Sequence, residues 1–520
     1  MKLLIHLCKL RAALAGIFLI ALFSSAAQAQ VSVQFRIFDE AGKELTYAAV
    51  VKRMTNNVGS SAMSTGIMDI DTLAAISLGD EYNSSGKFTV DFPAASAAHP
   101  KPGLMIHWNT ANTGYSSFLL DNGGKGFSQK ATLIFNEQLA YDARRQFNDA
   151  YARRLSANPP YAPSSSFSSL GTAIDGCFIR LGSAATPSLK GRIGQECVDK
   201  LAQAMALLLR EYGMANARNL ETVATQNGLG LYGRWGVSTA DNIDADPKPA
   251  IDDLAALFEP RHRWARIIMT ETSEAYYAKV RKWVNYASGK QVQTLGQLFD
   301  SSVQKSLTLA QFKSAVDRAL IFPDFSKITA WEVGNEVNGG WLGSNMSAKI
   351  DYAASQVKSK TGKPVCLTFY WYGTEDTLKT SLFNWIYTNI TPNIKNNLDC
   401  VTLSIYTDQQ PLGFSWDLVM TKLGSLFPGK QLMVGELGFV DPSVKPYFRE
   451  GPLTLTLEQG GKLYIQNRYP ASFATANSYG GSFWWYYDDE MIGRKPLWGT
   501  LHDVYCSVYK GYADVSHVCP

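Results

Sequence analysis

The six histidines of this 520-residue chain (6, 99, 107, 262, 502 and 517) are scattered, and no C-x-x-C pair occurs. A zinc or redox centre therefore has no ligand set, and no metal or other cofactor is expected. Charge of either sign is scarce: Asp, Glu, Lys and Arg make up 18% of residues, the net charge is +4, and no Lys/Arg block stands out. Such a balance makes nucleic acid a poor partner. No Gly-rich phosphate loop follows a first strand, which argues against an open doubly wound nucleotide fold. After the N-terminus no uninterrupted apolar run approaches the roughly 18 residues of a membrane span.

What is present begins with an export pattern. Lys2, Lys9 and Arg11 flank the apolar stretch Ala12–Phe23, and Ala27-Gln28-Ala29 supplies small-x-small cleavage chemistry. Residues 1–29 read as a signal peptide, the mature chain as starting at Gln30, and the destination as periplasmic or secreted. Six cysteines then remain: 177, 197, 366, 400, 506 and 519. An even number in an exported chain suits a disulfide set, with about 15 possible connectivities. Nearest-neighbour pairing gives Cys177–Cys197, Cys366–Cys400 and Cys506–Cys519.

Residues 30–137 read as a β-sandwich domain of short strands separated by turn chemistry such as Asp121-Asn122-Gly123-Gly124. Tyr47–Lys52 counts among those strands, and Trp108 is the one Trp of the segment. With no second Trp to line a sugar-binding face, this domain reads more as a structural companion than as a carbohydrate-binding module. Residues 138–169 read as a helix and a Pro/Ser-rich linker. From 170 to 520 strands alternate with amphipathic helices, and eight candidate strands imply a TIM barrel. They are Cys177–Leu181, Gly230–Trp235, Ala265–Thr270, Ile328–Glu332, Val365–Tyr370, Val401–Tyr406, Gln431–Gly435 and Ser482–Tyr487.

Two strand ends carry chemistry. Trp331-Glu332-Val333-Gly334-Asn335-Glu336 ends the fourth candidate strand, and Leu432-Met433-Val434-Gly435-Glu436 the seventh. Barrel enzymes place reactive groups at these C-terminal ends. Retaining cleavage of a glycosidic bond needs two carboxyl groups about 5–5.5 Å apart, whereas inverting cleavage needs about 6.5–9.5 Å. Tyr406 ends the sixth strand, and Trp484 and Trp485 lie in the eighth. Glu332 lies mid-strand, where a charge requires a partner, and reads as a structural ion-pair member.

The order Asn-Glu, Tyr, Glu, Trp at these strand ends resembles the clan A retaining glycoside hydrolases, over about residues 170 to 500. The resemblance implies Glu336 as acid/base, Glu436 as nucleophile, Asn335 on the sugar 2-hydroxyl, Tyr406 orienting Glu436 and Trp484 flooring the cleavage subsite. It also implies an Arg after strand two, which Arg234 fits, with Arg180 as rival. Trp485, and Trp371 among the aromatics after strand five, are further candidates for sugar contacts. Ser404-Ile405-Tyr406 departs from the His-x-Tyr typical of family 5, so a family 39-like branch fits as well. The substrate implied is a poly- or oligosaccharide. The alternative is a non-catalytic glycan-binding or exopolysaccharide-assembly barrel.

Overall fold

The computed structural model describes residues 30–54, 65–78, 81–97, 99–227, 234–239, 242–371, 377–406, 410–439, 449–452, 454–475 and 480–509. Residues 1–29, expected as a signal peptide, and Cys519, expected to pair with Cys506, lie outside them. Eight strands come first: β1 (Gln30–Arg36), β2 (Thr65–Asp69), β3 (Ala75–Leu78), β4 (Glu81–Ser84), β5 (Lys87–Pro93), β6 (Pro102–Thr110), β7 (Gly114–Leu120) and β8 (Ala131–Ile134). They form two four-stranded sheets, ordered β4-β5-β1-β8 and β3-β2-β6-β7. Every pairing is antiparallel except β1 with β8. The segment expected as a strand at Tyr47–Lys52 is instead the helix Tyr47–Met54. Val50 and Met54, four residues apart, both bury there, and that spacing outweighs the β-branched pair Val50-Val51.

A second correction concerns where the barrel starts. Cys177–Leu181 is the end of the helix Ser165–Gly182, whose first turn is capped by the Ser164 hydroxyl accepting from the Phe167 amide at 3.0 Å. Ile174, Cys177, Phe178 and Leu181 all bury, a helical period that the short, mostly apolar run Cys177–Leu181 does not reveal by itself. The 41-residue helix Pro187–Asn227 follows, and the Cys177–Cys197 disulfide ties the two helices together.

The closed barrel comprises β9 (Arg234–Thr239), β10 (Arg263–Ile268), β11 (Gln293–Gln297), β12 (Ala330–Glu332), β13 (Val365–Tyr370), β14 (Cys400–Tyr406), β15 (Gln431–Gly438) and β16 (Gly481–Trp484), with β16 returning to β9. Strand β11 was missed because Gln293 and Gln297 interrupt its apolar pattern. One spurious strand and one missed strand cancel, so Asn335-Glu336 still follows barrel strand four. Helices between the strands carry local start signals. Thr308 and Gln311 form a capping box ahead of Leu309–Leu320, as do Thr456 and Gln459 ahead of Leu457–Ala471.

Side-chain alternation layers the barrel interior. Trp264, Leu295, Ala330, Cys366, Cys400, Met433 and Phe483 make one apolar layer. Two residues further along their strands lie Arg266, Gln297, Glu332, Thr368 and Thr402, all buried and polar. Cys366 and Cys400 are registered neighbours on β13 and β14 and form the second disulfide. The N-terminal sheets are fastened to the barrel through the edge strand β7. Ser117 N donates to the Pro411 carbonyl at 2.9 Å and Tyr115 N to the Arg449 carbonyl at 2.8 Å, while Gly451 N donates to the Thr113 carbonyl just before β7 at 2.7 Å. Among the described residues no helix is long and apolar enough to cross a membrane.

Candidate active site

A cleft of about 310 Å³ opens at the C-terminal mouth of the barrel, lined by Asp300, Ser301, Asn335, Glu336, Trp341, Tyr370, Tyr406, Glu436, Trp485 and Tyr486. Glu436 reaches it through an irregularity in the sheet. Leu403 pairs with Val434, but the next residue, Ser404, pairs with Glu436, leaving Gly435 as an extra residue in β15. A bulge shifts side-chain phase by one, so Glu436 faces inward directly after the inward Gly435. Only glycine fits at 435, since a Cβ there would lie 2.5 Å from Thr402 Oγ1. The Gly-Glu dipeptide is thus a geometric device for aiming the carboxylate.

One hydrogen bond and one ion pair hold that carboxylate. Tyr406 Oη donates to Glu436 Oε2 at 2.6 Å, and Arg266 Nη1 lies 2.9 Å from Oε1. Arg266 is fully buried in β10 and also donates to both oxygens of Glu332 (2.6 and 2.9 Å) and to Asn335 Oδ1 (3.0 Å). Glu332 accepts a further bond from Thr368 Oγ1 at 2.6 Å. Burial opposes the charge of Arg266, yet the carboxylates of Glu332 and Glu436 outweigh it and raise the guanidinium pKa. Arg266 therefore stays cationic, linking the mid-barrel carboxylate to the one at the mouth.

Glu336 follows β12 in the left-handed backbone region, at φ 48°. That conformation costs an ordinary residue about 1–2 kcal/mol, and such strain recurs at functional positions. Burial first, and then the negative charge of Glu436, push the Glu336 carboxyl well above the usual carboxylate range; Arg266 and Ser404 pull more weakly the other way. The Tyr406 hydroxyl is likewise raised, by burial and by Glu436. One carboxyl in the cleft is thus poised to hold a proton, and its neighbour is bound to a cation and a hydroxyl.

Of the expected site residues, Asn335, Glu336, Tyr406, Glu436 and Trp485 meet in this cleft. Four other candidates do not. Arg234 enters the barrel at its opposite end, against Trp264, Gln431 and Met433, because it begins β9 rather than ending a second strand. Trp484 is fully buried in the helical layer, its indole N–H donating to Glu490 Oε2 at 2.8 Å. Trp371 is buried in the core beyond β13. Arg180 sits on a helix, paired with Glu196. The residues missed are Arg266, and Asp300 and Ser301 beyond the missed β11. Arg266 carried a legible signal: an Arg in the apolar run Trp264-Ala265-Arg266-Ile267-Ile268-Met269 needs an opposite charge at the same depth, and Glu332 is one.

No protein-family model matches the chain, and no curated protein matches it. Solved structures similar to it are glycoside hydrolases with an eight-stranded parallel barrel, of no single family. The endo-β-1,4-mannanase of Thermotoga petrophila is 12% identical, with 56% of this chain and 79% of that one covered at a TM-score of 0.36. A β-glucosidase of Thermotoga maritima is 10% identical over 49% of this chain and 88% of that one, TM-score 0.33. An intracellular xylanase of Thermoanaerobacterium saccharolyticum is 14% identical over 49% and 86%, TM-score 0.34. At TM-scores this low these likenesses carry no argument about the chain's chemistry, which is read from the cleft itself.

Proposed function

We propose that this chain is a retaining β-glycoside hydrolase of the clan A type, cleaving a poly- or oligosaccharide outside the cytoplasm after export by residues 1–29. The observation that carries the proposal is the pairing of Glu436, clamped by Tyr406 and Arg266, with the proton-holding Glu336 in one cleft. Glu436 attacks the anomeric carbon while the glycosidic C–O bond breaks, and the Glu336 proton passes to the departing oxygen. Water then attacks the same carbon, gives its proton to Glu336 and frees the Glu436 carboxylate. Asn335 presents its amide N–H toward the sugar 2-hydroxyl, since its oxygen is taken by Arg266. Trp485, Trp341 and Tyr370 offer ring faces to the sugar.

The N-terminal sheets serve as a structural companion, residues 30–137 forming a sandwich domain. Phe35 of β1 and Trp108 of β6 both pack on Phe135, at 6.0 and 4.8 Å, and Trp108 is buried rather than offered to a ligand. The test is a panel of activated 2-deoxy-2-fluoro glucosides, mannosides and xylosides with intact-mass detection. A covalent adduct on a Glu436 peptide is expected. Turnover of the parent glycosides with inverted product would refute retention, and glycan binding without turnover of any substrate would favour the assembly-protein alternative.

A further inference from the structure

A second cavity, of about 290 Å³, lies where the N-terminal sheets, three helices and the barrel loops meet, and shares no residue with the cleft. The helix Pro187–Asn227 presents Gln203, Ala206, Leu207 and Arg210 to it, positions i, i+3, i+4 and i+7 on one face. The helix Leu457–Ala471 presents Leu463 and Asn467 opposite. The two helices touch at Gly213, where a Cβ would collide with the Pro470 carbonyl oxygen. One turn earlier they part, and the small Ala202 and Ala206 leave the space open. This volume is near the lower end of small-ligand pockets, about 300 Å³.

The polar groups in this cavity are unequally satisfied. Glu450 is occupied on both oxygens: Gly413 N donates to Oε1 at 2.8 Å, and Arg468 Nε donates to Oε2 at 2.7 Å. Arg468 is thereby neutralised. The side chains of Arg210, Gln203 and Asn467, all half-buried, make no hydrogen bond or ion pair among the described residues. A half-buried guanidinium without a carboxylate partner presents a fork that fits a planar anion. Two free amides beside it match vicinal hydroxyls, and Leu170, Leu207, Leu463 and Phe414 supply an apolar wall for a ring face.

We propose that this cavity is a second saccharide site that takes a carboxylate-bearing sugar unit, with Arg210 binding the carboxylate and Gln203 and Asn467 the ring hydroxyls. It is independent of the cleft chemistry. The loops that border it, around Gly413 and Glu450, follow β14 and β15, the strands that carry Tyr406 and Glu436. A uronic-acid residue seated there anchors an acidic polysaccharide to the protein beside the barrel mouth.

The test titrates the full chain with methyl β-glucuronide and with the matched neutral methyl β-glucoside, by calorimetry and saturation-transfer NMR. The glucuronide should bind at least about tenfold more tightly. Arg210→Gln should abolish that preference, Ala206→Leu should block the cavity, and Glu436→Gln should leave binding unchanged, with circular dichroism checking each fold. Equal binding of the two sugars would overturn the proposal. So would loss of binding in Glu436→Gln, retention in both cavity variants, or equally tight competition by inorganic phosphate.

Discussion

Arg234 on β9 and Arg266 on the adjacent β10 both point into the barrel interior and are fully buried, but they meet opposite surroundings. Arg234 stacks on Trp264 at 4.9 Å and has one neutral oxygen partner, Gln431 Oε1 at 2.8 Å, alongside the sulfurs of Met433 and Cys400. Burial pulls its pKa down to about 9. Arg266, one strand over and nearer the mouth, lies between two carboxylates and has its pKa raised. The same side chain is a desolvated charge with little return at one end of the barrel and the centre of an ion network at the other. The proposed chemistry sits at the end where the charge is matched.

Removing the carboxylate that Arg266 clamps should have the largest effect. Glu436→Ala should lower kcat by at least about 10⁴-fold, and added azide should restore turnover with product of inverted configuration, detectable by proton NMR. Unchanged kcat would remove Glu436 from the mechanism.

The two arginines can then be set against each other. Glu332→Ala leaves Arg266 short of one carboxylate, and breaking a buried pair in this way costs about 3–5 kcal/mol. Arg234→Met replaces a poorly matched charge by an apolar chain of similar length, which should be neutral or stabilising by about 1–4 kcal/mol and leave activity intact. Below pH about 9 the folded state carries the full penalty of the charged Arg234. Above it the unfolded chain binds more protons, so wild-type stability attributable to this group rises with pH. Urea unfolding of both variants measures the contrast, and equal losses would erase it.

A subtler consequence concerns protons. Glu336→Ala should cost about 10²–10⁴-fold on poor leaving groups and far less on dinitrophenyl glycosides. Because burial and the Glu436 charge hold the Glu336 carboxyl above its ordinary value of 4.5, its protonated form favours folding. That contribution is whole below pH about 4.5 and is lost as pH rises through the raised pKa. Activity should fall through the same pKa on its alkaline limb. In Glu436→Gln the ¹³C-detected titration of Glu336 should move to lower pH; an unmoved titration would show that the two carboxyls do not sense each other.

The smallest effect on activity separates adjacent indoles. Trp485→Ala should raise KM about tenfold while sparing Tm, having removed a cleft wall. Trp484→Ala should instead cost about 3–5 kcal/mol of stability, since its ring is core. Reversed outcomes would place the wrong indole in the cleft.

Local chemistry in the chain determined a good deal. The apolar runs ending in Asn335-Glu336 and Gly435-Glu436, the helix Trp416–Leu426 and the alternation of strand and helix are written in residues close together in sequence. Such patterns follow from periodicity alone. Cys177–Leu181 and Gln293–Gln297 mark the limit of that reading, because a short, mostly apolar run fits helix or strand and two glutamines can hide a buried strand. Tertiary structure decided which face each side chain takes. The bulge at Gly435 turns Glu436 inward, the register of β16 sends Trp484 out and Trp485 in, and the closing of β9 on β16 carries Arg234 to the far end of the barrel. Arg266 became legible as the clamp only when Glu332 and Asn335 from one segment and Glu436 from another converged on it. Facing depends on pairing across strands, and a change of one residue in phase reverses it.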